Sequence, residues 1–169
     1  MNYKESLAHI LKHEGGWVND PRDTGGETNL GVTKAVWEEW LGHAVKDGSM
    51  KSMTQLDVEP LYKRKYWDRV KADELPDGLN YCVFDAAINS GTGRAAKWLQ
   101  ESAGAIPDGA IGPNTLRAVA AHTPAELINI YCDKRQEFLE SLSNFDRFGK
   151  GWTRRVAEVR KLSLDSVKR

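Results

Sequence analysis

The chain has 169 residues, with 24 Lys/Arg set against 24 Asp/Glu, so its formal net charge is zero. That balance excludes the overall basic footprint of a nucleic-acid binder, and the length allows a core that hides about 70% of the unfolded surface without staples. Cys82 and Cys132 lie far apart in helical patterns and are expected to be buried, reduced thiols.

The charge is uneven along the chain. From Asn144 to Arg169 there are eight Lys/Arg against three Asp/Glu, which makes a polyanionic surface a candidate partner. The opening residues M-N-Y-K-E-S-L-A-H contain no apolar stretch of signal-peptide length, and no run approaches a membrane span. The expectation is a protein made soluble in the cytoplasm, without stable membrane insertion. A substrate beyond the membrane would then require a separate passage.

Tyr3, Leu7, Ile10, Leu11 and Glu14 fall on one face of a helix that Gly15-Gly16 ends. Glu14 sits at that end, where burial and the negative end of the helix dipole both disfavour a carboxylate, as suits a general acid. A glycine-rich polar loop follows, with room for a short hairpin over residues 17–32. Thr33 then caps a helix carrying Val36, Trp37, Trp40 and Leu41, closed by Gly42. Thr54 or Asp57 caps the next, with Pro60 early and Leu61, Tyr62, Tyr66 and Trp67 along it. Its aromatics fit either a core or a sugar-stacking platform.

Leu75-Pro76-Asp77 reads as the start of a central helix, buried nearly all round, that ends in Asn89-Ser90-Gly91. A shorter helix spans Arg94 to Ala103, turn chemistry fills Ile106 to Pro113, and another helix begins at Asn114. Thr123-Pro124-Ala125-Glu126 is the best helix start in the chain, and Leu127, Ile130, Tyr131, Phe138 and Leu142 continue it. The last helix places Trp152, Val156, Val159 and Ser163 on one side, with Arg154, Arg155, Arg160 and Lys161 largely elsewhere. Those cations form either a solvated face or a wall- or membrane-binding one. The class is therefore mainly α.

Two arrangements in the first quarter could carry chemistry. His9 and His13 are spaced i, i+4, but Ile10 stands where a zinc peptidase has its Glu and no third ligand is evident, so no metal and no cofactor are expected. Glu14 is followed by Asp20, Asp23 and Glu27, and a glycine-bent loop can return one of these carboxylates toward it. Two carboxyl groups in unlike environments are what glycoside hydrolysis uses, one as acid and one to activate water or stabilise the cationic centre.

The run His13-Glu14-Gly15-Gly16-Trp17-Val18-Asn19-Asp20-Pro21, followed by Asp23-x-Gly25-Gly26-x-Thr28-x-x-Gly31-Val32-Thr33, resembles the signature of glycoside hydrolase family 108, muramidases of phages and bacteria in the lysozyme superfamily. The likeness continues through Tyr62-x-x-x-Tyr66-Trp67, Phe84-Asp85-x-Ala87-x-Asn89-x-Gly91 and Leu99-Gln100. It implies a lysozyme-like, mainly helical fold, Glu14 as general acid, Asp23 as the water-positioning carboxylate and Thr28 as its helper. Glu14 and Asp23 keep the phage-lysozyme spacing of eight intervening residues, whereas Thr28 stands one residue early, so Asp20 stays a second candidate.

The resemblance further implies that Trp17, Asn19, Asp20, Tyr66, Trp67 and Asn89 meet the sugar chain. Residues 98–169 resemble the paired peptidoglycan-binding domain, marked by Asp108-Gly109-x-Ile111-Gly112-Pro113-x-Thr115, and residues 1–97 the catalytic region. That motif is equally compatible with wall binding and with a structural turn. The implied partner is peptidoglycan, approached by a monomer acting in the periplasm or cell wall after a holin or equivalent opens the membrane.

Overall fold

The computed structural model describes residues 1–22 and 26–168. Among them are eight α-helices and one small antiparallel sheet, the mainly α architecture expected. The chain divides into two compact units, Tyr3–Lys65 and Met1–Asn2 with Tyr66–Arg169.

The first unit opens with α1 (Tyr3–Leu11), which buries Leu7 and Ile10 completely. A meander follows, β1 (Val18–Asn19), β2 (Glu27–Asn29) and β3 (Val32–Thr33), in the order β1-β2-β3. The sheet thus reaches one strand beyond the hairpin anticipated for residues 17–32. Thr33 ends β3 and also caps α2 (Lys34–Leu41), its Oγ1 accepting from the Val36 amide at 3.2 Å. The aromatic face of α2 is only half covered, because this short helix packs mainly against β3 and fully buries none of its residues. α3 (Gln55–Tyr62) starts at Thr54, whose amide donates to the Asp57 carboxylate at 2.8 Å, and runs alongside α1. Its Val58, Leu61 and Tyr62 are buried. Pro60 lacks a donor for the helix ladder, and just beyond it the chain widens into a π-helical turn, Lys63–Trp67.

The second unit is built around α4 (Leu79–Ser90). All nine residues from Leu79 to Ala87 are buried, as the alternation of large and small side chains predicts. α5 (Thr92–Ala103), α6 (Pro113–Ala120), α7 (Pro124–Glu140) and α8 (Phe145–Val167) complete it. Thr123 and Glu126 form the expected capping box of α7, and Pro124 occupies the first turn.

The buried stripe of α7 differs from the expected one. It consists of Leu127, Ile128, Tyr131, Cys132, Arg135 and Leu139, and it leaves Ile130 38% exposed. The physical reason is an ion pair. Asp85, fully enclosed on α4, accepts from Arg135 Nη1 at 2.6 Å and from Arg155 Nη2 of α8 at 2.7 Å. Burial alone would push this carboxyl up, but the charges and hydrogen bonds of the two guanidinium groups hold it below the usual carboxylate value. Arg155 therefore does not belong to a solvated basic face. Cys82 and Cys132 are both free and buried. No helix among the described residues is long and apolar enough to cross a membrane.

Candidate active site

Glu14 lies just beyond α1, not within it. Its amide still reaches the Ile10 carbonyl at 3.3 Å, so the residue is held by one last turn while its side chain is half-buried. The carboxyl group lies against the tip of the β2–β3 hairpin. Asn29 pairs with Val32, leaving Leu30 and Gly31 as a two-residue loop, both left-handed at φ 51° and 77°. Two positive φ values give the mirror-image turn whose twist suits a hairpin, and a leucine there is strained.

Two hydrogen bonds hold the strained turn. The Leu30 amide donates to the Gly15 carbonyl at 3.2 Å, and the buried Tyr62 hydroxyl donates to the Leu30 carbonyl at 2.7 Å. A Cβ at Gly31 would lie 2.6 Å from the Tyr62 hydroxyl and 3.0 Å from Glu14 Oε2. At φ 77°, a side chain at position 31 is strained and must displace the Tyr62 hydroxyl and shift the Glu14 carboxyl.

Gly31→Ala is accordingly expected to push that carboxyl aside and to lower kcat by about 10²-fold with a smaller change in KM. Steady-state hydrolysis rates, with circular dichroism to establish folding, check this. A folded Gly31→Ala protein with full kcat would refute the steric argument.

The neighbouring carboxylates have separate commitments. Asp20 accepts from the Arg22 side chain at 3.1 and 3.2 Å and from its amide at 2.9 Å. The side-chain bonds and then the amide bond hold the Asp20 carboxyl below the usual range, so it is ionised at neutral pH. Glu27 accepts from Trp17 Nε1 at 2.9 Å and pairs with Lys34 at 3.8 Å, while Lys51 Nζ lies 5.2 Å from the centre of the Trp17 ring. Trp17 is 39% exposed, and Asn19 beside it is exposed at the end of β1. Thr28 is half-buried in β2, opposite Val18 and Thr33. Asp23 lies outside the described residues.

Three expected site residues belong to the second unit. Tyr66 is half-buried in the π-helical turn, and Asn89 is exposed in the last turn of α4. Trp67 is 1% exposed, donates Nε1 to Asp73 at 2.8 Å and meets Phe84 edge-on at 5.0 Å. Its ring is a core element with no face left for a sugar.

Sequence reasoning did not single out Tyr62 and Gly31 as site residues. Tyr62 heads the quoted Tyr-x-x-x-Tyr-Trp run, and Gly31 stands at the second position of a two-residue hairpin loop. Either could have drawn attention, but the contacts that matter span 32 residues in the case of Tyr62.

The motif from Asp108 to Thr115 folds around one buried amide. Gln100 Nε2 donates to Asp108 at 2.8 Å, to the Ala110 carbonyl at 3.0 Å and to Thr115 Oγ1 at 3.1 Å, and its Oε1 accepts from the Gly109 amide at 2.9 Å. The polar groups of the motif are spent on holding the turn between α5 and α6.

Comparison with known proteins places this arrangement. Residues 7–91 match the family model described as glycosyl hydrolase 108, and residues 94–157 match one described as a predicted peptidoglycan domain. Among solved structures, SagA of Brucella abortus is 39% identical, with a TM-score of 0.84 over 99% of this chain and 96% of that one. A search of curated proteins finds no match. The chain belongs to the glycosyl hydrolase 108 family, a peptidoglycan-hydrolysing domain followed by a peptidoglycan-binding module.

Proposed function

We propose that the protein is an N-acetylmuramidase that cleaves the β-1,4 bond between N-acetylmuramic acid and N-acetylglucosamine. The observation that carries this reading is the seat of Glu14, a half-buried carboxyl held at a helix end against a strained, glycine-dependent hairpin turn. Backbone strain such as that of Leu30, stored in a turn beside one carboxyl group, is a feature found at catalytic sites.

In this reading Glu14 gives its proton to the glycosidic oxygen as the bond breaks. Asp23 orients or deprotonates the attacking water, and Thr28 helps to hold it; Asp20, ionised beside Arg22, is the alternative second carboxylate. Trp17, Asn19, Tyr66 and Asn89 contact the sugar chain. Residues 1–97 supply the catalytic region and 98–169 the peptidoglycan-binding region. The enzyme acts as a monomer on the cell wall, reaching it as a phage endolysin through a holin-type opening. The likeness to a protein of Brucella abortus favours a second setting, a bacterial muramidase in place of a phage one; opening the wall for secretion is the role proposed for it there.

Mass spectrometry of digested, purified peptidoglycan tests the assignment. Fragments ending in reducing muramic acid are expected. Fragments ending in reducing glucosamine would make the enzyme a glucosaminidase, and wall binding without release of reducing ends would leave only a binding module.

A further inference from the structure

The indole of Trp17 is 39% exposed, yet it is held at its edge and over its face. At the edge, Nε1 donates to Glu27 Oε2 at 2.9 Å. Over the face, Lys51 Nζ lies 5.2 Å from the ring centre. Both holds trace to one side of β2. Glu27 and Asn29 are two residues apart on that strand and therefore share a face of the sheet. Asn29, 5% exposed, donates Nδ2 to the Met50 carbonyl at 2.7 Å and so anchors the chain beside Lys51. Glu27 is steadied by its other oxygen, Oε1, which faces Lys34 Nζ at 3.8 Å at the start of α2.

A large apolar ring left in water contributes little to folding, so these contacts do not explain themselves as stability. Their consequence is orientation. A side chain already fixed meets a ligand without a further ordering cost, whereas a mobile one must be immobilised first. The carboxylate that does the fixing is itself only 18% exposed, with one oxygen turned to Trp17 and the other to Lys34.

Resting on the muramidase reading above, we propose that Glu27 is a positioning residue: it fixes the Trp17 ring as a platform for one sugar of the glycan strand, away from the scissile bond. A fixed aromatic face suits the C–H face of a sugar ring. Extended chain rises about 3.3 Å per residue, which puts Glu27 about 10 Å along the hairpin from the Leu30–Gly31 tip, where the Glu14 carboxyl rests. A sugar held at that distance is held equally before and during bond cleavage. The platform therefore acts on KM and leaves kcat to Glu14.

The test is steady-state hydrolysis of soluble, uncrosslinked glycan strands, with kcat and KM resolved and thermal unfolding to establish folding. Glu27→Ala should raise KM about fivefold, the equivalent of one ordinary hydrogen bond, and leave kcat within about twofold. Glu27→Met keeps the length of the side chain but has no oxygen to accept; it should behave in the same way, and it serves where alanine unsettles the strand. Glu27→Gln still offers an oxygen to the indole N–H and should recover most of the loss. In a Trp17→Phe background, which has no N–H for Glu27 to hold, Glu27→Ala should change KM by less than about twofold. A purely structural role in the sheet would instead give the same loss in both backgrounds, with no recovery by glutamine. That result, or a wild-type KM in folded Glu27→Met protein, would overturn the assignment. If the wild type releases no reducing ends from peptidoglycan, the muramidase reading fails and this role with it; if it does and Glu27→Met keeps its KM, only the role of Glu27 fails.

Discussion

Glu14→Gln is expected to lose about 10²–10⁴-fold in kcat on peptidoglycan while staying folded. The amide keeps the shape of the carboxyl and can occupy the same place against Gly31, but it has no proton to give to a departing sugar oxygen. Turbidity clearing of purified cell walls measures the loss, and thermal unfolding should move by no more than about 1 kcal/mol equivalent. The result separates chemistry from positioning: Gly31→Ala leaves the acid present but misplaced, whereas Glu14→Gln leaves the place filled without an acid. A folded Glu14→Gln protein that still clears walls would remove Glu14 from the reaction.

The second large effect concerns stability. Asp85→Ala should destabilise the helical unit by about 4 kcal/mol, because Arg135, only 2% exposed, and Arg155 would each lose their anionic partner. Asp85→Asn keeps the volume but not the charge and should also be strongly destabilising. The pH dependence follows from the direction of the shift. The Asp85 carboxyl titrates lower in the folded protein than its ordinary value of 3.8, so the folded state favours the ionised form. The resulting stability is fully present above that value and is lost as pH falls below it, toward and through the folded value. Urea unfolding at a series of pH values should show a gap between wild type and Asp85→Asn that is constant at neutral pH and narrows in acid. A gap that is equally large below pH 3.8 would mean that packing, not charge, makes Asp85 indispensable.

The two predictions differ in how far the sequence anticipates them. Glu14 was legible because its signals are local: an apolar period of helical spacing, two glycines that stop it, and a loop rich in carboxylates. The expectation put it at the end of the helix that Gly15-Gly16 stops, and the structure has it just past the end of α1, which closes at Leu11. Asp85 stood in a quoted motif, but nothing local distinguishes a buried aspartate on an apolar helix from a polar one facing solvent. Its partners lie 50 and 70 residues away, on helices whose rotation only packing sets. The same distance hid the role of Arg135 and led to Ile130 being placed inside. Trp67 was misjudged for a related reason: an aromatic at helical spacing suits a core and a sugar platform equally until its neighbours are known.

The sequence by itself determined the helical class, the capped starts of α2, α3 and α7 and the burial of α4, and it is what proposes Glu14 as the acid, because these depend on residues within a few positions of one another. Only the tertiary structure decided how the Glu14 carboxyl is seated, since that depends on a strained Leu30–Gly31 turn held by a tyrosine from another helix. It also decided that Arg155 of α8 is spent inside the protein, on Asp85. Charge along a chain is a matter of order, but whether a charge is paired depends on what folding brings within reach.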